Sequence, residues 1–155
     1  MTILEQIAPL LKQRHFLSVA TADKSCEPHS VPKIFLKLEG SDAYLVDYAI
    51  AKTVDNLKIN PRASMSLMDL ENLEGYRLSG KTELIQSGEN FEKLRKELDK
   101  KLLKLSADRV IEGMRSGKRH QHFELEIPEK VIFIKVKIDE AVRIGTQGEL
   151  FKEKL

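Results

Sequence analysis

The sequence predicts a mainly β protein, a barrel of six to seven antiparallel strands with helices inserted, and three observations carry that expectation. From His15 onward apolar and polar residues alternate with period two in short runs, and turn residues separate those runs. One long stretch, about 88–117, instead repeats its apolar residues at three- and four-residue spacing. So many short strands in a chain of 155 residues bury their faces most easily by closing on themselves. With 41% hydrophobic residues the chain has enough apolar surface for one core, so 1–155 reads as one domain with a helical insertion at about 88–117.

Each element has a local reason. Thr2 followed by Glu5 makes a capping box for a first helix whose Ile3, Leu4, Ile7, Leu10 and Leu11 share a face, and Pro9 is expected to kink or interrupt it. The first strand is Phe16–Thr21, closed by Asp23, Lys24 and Ser25 before a second from about Pro28 to Leu38. In that second run Val31, Lys33, Phe35 and Lys37 alternate with Pro32, Ile34, Leu36 and Leu38, giving a mixed face and an oily one. After a turn over Glu39–Asp42 comes a third strand, Ala43–Tyr48. Thr53 is then placed to cap a short helix carrying Val54, Leu57 and Ile59, which stops near Asn60 because Pro61 follows.

Strands Ala63–Asp69 and Gly75–Ile85 resume the meander, and Gly80 inside the latter marks a bulge or a close backbone approach. Two helices are expected next, one striped by Phe91, Leu94, Leu98, Leu102 and Leu105, and one capped by Ser106 and carrying Val110, Ile111 and Met114. The leucine stripe is read as core or dimer packing. Runs His122–Ile127 and Val131–Ile138, parted by Pro128 and Glu129, complete the sheet, and the polar tail from Gly145 is expected to be loosely held.

Composition removes several function classes. Lys and Arg total 26 against 24 for Asp and Glu, a net charge of +2, too small an excess to mark a nucleic-acid binder. The basic cluster Arg115, Lys118, Arg119, His120 and His122 lacks the aromatic residues that stack bases, so it reads as a solvated loop and nucleic acid is not an expected partner. His120 and His122 would share one side of a strand, but no third ligand lies near, so no metal site is expected. Cys26, the one cysteine, excludes an internal disulfide. Cys26 with His29 has no orienting third group, and Asp47, Asp55 and Asp69 each suit a cap or a turn, so no residue is assigned as a catalytic nucleophile, acid or base. No apolar run approaches the ~20 residues a spanning helix needs, and Met1–Leu11 lacks a secretory pattern, so the expected location is cytoplasmic with no membrane partner.

The place where chemistry concentrates is Lys52, Thr53 and Asn56, between a strand end and a helix start. A helix N-terminus presents unpaired N–H groups and partial positive charge, so a lysine and a hydroxyl there complete a pocket for a phosphate monoester. The same residues also suit a solvated lysine beside a plain threonine cap. Ser64 and Ser66 share one face of their strand, and Lys33 shares one with Phe35, the mixture of polar and flat contacts a binding groove uses; Lys33 and Lys37 also suit charges that protect a sheet edge.

The order of "HFLSVATADKSCEPHSVPKIFL", "AYLVDYAIAKTVDNLKINPRASMSLMD" and "GYRLSGKTELI" resembles the FMN-binding split-barrel family typified by pyridoxamine 5′-phosphate oxidase. The similarity covers about Leu11 to Ile85, with a looser match after His122. By that resemblance FMN is the cofactor: Lys52 and Thr53 would contact its phosphate, and Pro32, Lys33 and Ile34 would line the ribityl chain and ring edge. Val46, Asp47 and Tyr48 would lie on the adjacent strand, and Arg77 would be a further contact to the phosphate or the ring's polar edge. The resemblance also implies a homodimer with FMN in the dimer groove, and a flavin-dependent oxidoreductase whose electrons come from a donor such as NADH or NADPH. Its substrate is not implied, and a non-catalytic flavin-binding module or a relative using haem or F420 is the alternative. Two departures stand out. Cys26 occupies the position before x-Pro-His where the family usually has Gly, so that turn is expected to differ. The family's arginine-rich C-terminal motif has no match in "RIGTQGELFKEKL", which argues against pyridoxamine phosphate as substrate.

Overall fold

A computed structural model describes residues 1–117 and 127–155. The elements run α1 (Ile3–Lys12), β1 (Phe16–Ala22), β2 (Pro28–Glu39), β3 (Asp42–Asp47), α2 (Lys52–Ile59), β4 (Arg62–Asp69), β5 (Glu74–Ile85), α3 (Glu89–Ser116), β6 (Ile132–Ile144) and β7 (Leu150–Lys154). All strand pairings are antiparallel. The sheet is ordered β3-β2-β1-β4-β5-β6-β7, and a further pairing of β3 with β6 closes six strands into a barrel with β7 as an extra strand. The expected mainly β barrel is therefore the observed fold. Closure depends on the length of β6: residues 132–137 pair with β3, residues 140–144 pair with β7 on the same edge, and β5 occupies the other edge.

Two cores result, one on each side of the barrel wall. Inside, Leu17, Val19, Leu45, Met65, Leu78, Ile134 and Val136 are buried together with the α1 stripe of Ile3, Leu4, Ile7 and Leu11. Outside, Leu94 and Leu98 of α3 pack on Ile34, Leu36, Tyr44, Val46 and Phe133. Strand β2 serves both, so Lys33, Ile34, Phe35 and Leu36 are all buried and the expected contrast between an oily and a mixed face is lost over this stretch. Gly80 meets both halves of its expectation: the β5–β6 register shifts there, and an added Cβ would lie 2.0 Å from the Lys137 carbonyl oxygen.

Other expectations are corrected. The Thr2–Glu5 capping box is present, but α1 runs through Pro9, because Ile7 and Leu11 on either side are each 1% exposed and their packing outweighs the missing hydrogen bond. Residues 89–116 form one helix, not two; Ser106 lies inside it, and a serine without Gly or Pro beside it does not break a continuous backbone ladder. The tail from Gly145 is not loose. Gly148, at φ +84°, turns the chain into β7, where Lys152 pairs with Glu140 at 2.7 Å and Glu153 accepts from the Ile3 amide at 2.7 Å. The expected strand over 122–127 lies, but for Ile127, outside the described residues, as do Lys118, Arg119, His120 and His122 of the basic cluster. Among the described residues no helix is long and apolar enough to cross a membrane.

Candidate functional site

A cleft of about 210 Å³ opens where β2 passes the start of α2. His29, Val31, Pro32 and Lys33 line it from β2, Tyr48, Ala49 and Ala51 from the β3–α2 loop, and Lys52 and Thr53 from α2. The loop is shaped by Asp47, the last residue of β3, whose carboxylate is fully buried. Its Oδ1 accepts from Lys33 Nζ at 2.8 Å and from the amides of Ala49 and Ile50 at 3.1 and 3.2 Å. Those bonds hold Ile50 at φ +47°, a conformation that β-branched residues avoid, so one buried carboxylate sets both the loop path and the Lys33 ammonium.

The loop delivers α2 with its N-terminus open. The N-cap is Ala51, which has no side chain to accept from the first-turn amides, so the expected capping by Thr53 is not what occurs. Thr53 lies within the first turn, 1% exposed, and its Oγ1 is buried with no hydrogen-bond partner among the described residues. A hydroxyl in that state costs free energy unless something in the cleft meets it. Lys52 reaches Asp23 Oδ2 at 3.3 Å in the β1–β2 turn. Asp23 also accepts from the amides of Glu27 and Ser25, and these bonds, with a smaller contribution from Lys52, hold its carboxyl below the usual 3.8. In that turn Cys26 sits at φ +61°, in the left-handed region that favours glycine.

Open amides at a helix start, an orphaned buried hydroxyl and an ammonium group suit a phosphate monoester, which offers acceptors to all three. Pro32, Lys33, Tyr48, Lys52 and Thr53 are thus brought to one cleft, with Asp47 directly behind Lys33. Four other residues stand elsewhere. Ile34 and Val46 are cross-strand partners facing α3 in the outer core, 4% and 0% exposed, because period two turns them away from Lys33. Arg77 on β5 is paired with Glu140 at 2.5 Å and does not line the cleft. Asn56 turns inward, donating to the Thr21 hydroxyl at 3.0 Å, and so fastens α2 to β1. His29 and Asp23 were not legible as site residues one by one, although the alternation that puts Val31 and Lys33 on one face also includes His29. Among the described residues no group of three or more His, Cys, Asp or Glu comes together to hold a metal.

Comparison with known proteins places this geometry. Residues 3–138 match the family model described as pyridoxamine 5′-phosphate oxidase. No curated protein matches the sequence. A pyridoxamine 5′-phosphate oxidase-related, FMN-binding protein from Nostoc punctiforme is similar at 14% identity and a TM-score of 0.60, over 100% of this chain and 98% of that one. A heme binding protein from Mycobacterium smegmatis is similar at 16% identity and a TM-score of 0.65, over 99% of this chain and 58% of that one. An F420 reductase is similar at 18% identity and a TM-score of 0.56, over 86% of this chain and 93% of that one. At these identities the likeness is one of fold, and it spans proteins named for three different prosthetic groups. The match over residues 3–138, on a barrel whose cleft opens at the start of α2, shows that the chain belongs to the pyridoxamine 5′-phosphate oxidase family.

Proposed function

We propose that the protein binds FMN in the α2 cleft and works as a flavin-dependent oxidoreductase, with a reduced nicotinamide as electron donor to a small-molecule substrate. The observation that carries this reading is the Thr53 Oγ1, buried and without a partner among the described residues, beside the uncapped start of α2 and the Lys52 side chain. Lys52, Thr53 and the first-turn amides would hold the phosphate. Lys33, fixed by Asp47, and Tyr48, 37% exposed at the rim, would meet the rest of the molecule. FMN supplies the redox chemistry when bound; the protein supplies binding and electrostatics.

A homodimer is part of the same proposal. On the outer sheet surface Met68 and Ile144 flank Gly75, where an added Cβ would sit 3.5 Å from each, and Leu150 pairs beside Ile144. Their exposures of 49%, 41% and 68% make an apolar row that a second copy would cover. Charge placed in that row by Ile144→Glu should convert a dimer to a monomer in light scattering, and a wild-type monomer would refute the dimer.

The function is tested by titrating the purified protein with FMN and following absorbance, then adding NADH or NADPH. Saturable binding, weakened about tenfold by Lys52→Ala, and bleaching of the flavin by a nicotinamide are the expected results. Binding without bleaching by either donor would leave a flavin-binding module. The likeness to heme-binding and F420-linked proteins gives the alternative its footing. A protein that ignores FMN and retains one of those groups would replace the proposal.

A further inference from the structure

Further along β2 from the flavin cleft, α1, β2 and α3 line a second, partly open cavity of about 210 Å³ that shares no lining residue with the first. Its walls are core side chains held in place by the fold: Leu11 and Phe35 are 1% and 3% exposed, and Leu36 is 9% exposed. Ala8 of α1 keeps it open, since a larger residue there would reach into the space. A closed, wholly apolar cavity of about 150 Å³ holds benzene, so by volume this one, with three lysines among its lining residues, has room for a ring or short chain and one polar group. Every charged residue lining it is a lysine: Lys12, Lys37 and Lys101.

These lysines differ in what neutralises them. Lys37 is met by Glu39 at 2.7 Å and Glu97 at 2.9 Å. Lys101 of α3 has no carboxylate within 4.0 Å among the described residues. Its ammonium donates to the Phe35 carbonyl, and to the Arg14 carbonyl at 3.5 Å, where β2 shifts register against β3. Two carbonyls hold the group in position without cancelling its charge, and an ammonium has a third proton to donate. Burial accordingly pushes the Lys101 amine below its usual 10.5. Lys12 likewise has no carboxylate within 4.0 Å among the described residues, but it is exposed and water meets its charge. The ligand that suits a chamber whose one partly buried, uncompensated cation is Lys101 is a singly charged one with an apolar body. A dianion would leave excess charge desolvated against Leu11 and Phe35.

We propose that this cavity is a second binding site, taking a small apolar monocarboxylate whose ring or chain fills the chamber and whose carboxylate meets Lys101. The site is independent of the flavin reading. Its test is calorimetric titration of the full chain with sodium benzoate and with sodium hexanoate, beside benzamide, which has the ring but no charge. At least one carboxylate should bind, and benzamide should bind about tenfold more weakly than benzoate if benzoate is the better fit. Lys101→Met, which keeps the apolar stem, should erase the preference for charge, and Ala8→Leu should abolish binding by filling the chamber, while FMN titration stays unchanged in both. In the unaltered protein, methyl signals of Ala8 and Leu38 should move during the titration, so the result does not depend on either variant folding. Absence of binding by both carboxylates, binding that leaves those methyl signals still, or full affinity in folded Lys101→Met would each overturn the proposal.

Discussion

Lys33 and Lys101 stand at two places along β2, and the protein treats their charges in opposite ways. Lys33 is 5% exposed and sits against a carboxylate that is itself fully buried, Asp47 at 2.8 Å. Lys101 is held by backbone carbonyls and faces an apolar chamber. On the cleft side the two charges are paired, and the same carboxylate oxygen, Asp47 Oδ1, bends the loop that presents α2, while Oδ2 is buried with no partner among the described residues. The α3 side has its apolar walls complete and its charge open. A buried ion pair by itself adds little to stability, yet removing one partner is expensive because the other stays buried and charged.

That contrast can be broken most strongly at Asp47. Asp47→Ala should cost about 3–5 kcal/mol in denaturant unfolding, and the double variant Asp47→Leu with Lys33→Met should recover part of the loss. Full recovery would mean the amides of Ala49 and Ile50 gain nothing from the carboxylate. Leu98→Ala, which opens a hole where α3 meets the barrel, should cost about 2–5 kcal/mol while leaving FMN affinity unaltered; an equal loss of FMN binding would show that the α3 packing and the cleft are coupled.

Thr53→Val sharpens the reading of the cleft. Because the hydroxyl has no partner among the described residues, its removal should leave the ligand-free protein equally stable or more stable by about 1 kcal/mol, yet weaken FMN binding in a fluorescence titration. Loss of stability without loss of binding would refute the role given to the hydroxyl. The smallest effect belongs to pH. The carboxyl of Asp23 is held below its usual 3.8, so its contribution is present above 3.8 and disappears as pH falls through the lower folded value. Signals from the Ser25 and Glu27 amides should therefore shift only below pH 3.8, and Asp23→Asn should remove that transition.

Much of the fold was legible because period two and turn chemistry are local properties. The strands beginning at Phe16, Pro28, Asp42, Arg62 and Glu74 stand within a residue or two of where alternation put them. The misses share a cause. Ser106 reads as a cap only if α3 has no reason to continue, and the lodging of Leu94 and Leu98 on the outer wall favours one unbroken helix. The polar residues 145–155 carry no apolar stripe, and only the exposed edge of β6, with Glu140 waiting for Lys152, makes them a strand.

The site divides in the same way. Lys52 and Thr53 at a helix start, and the alternation that separates Lys33 from Ile34, follow from the order of residues along the chain, since helix ends and pleats are set by neighbours a few positions apart. That Asp47 lies behind Lys33, that Asn56 turns to Thr21, and that Lys101 comes over Phe35 from 66 residues away depend on which strands and helices meet. Burial and charge compensation are properties of those meetings, and a linear pattern carries no record of what will stand opposite a side chain once the barrel closes.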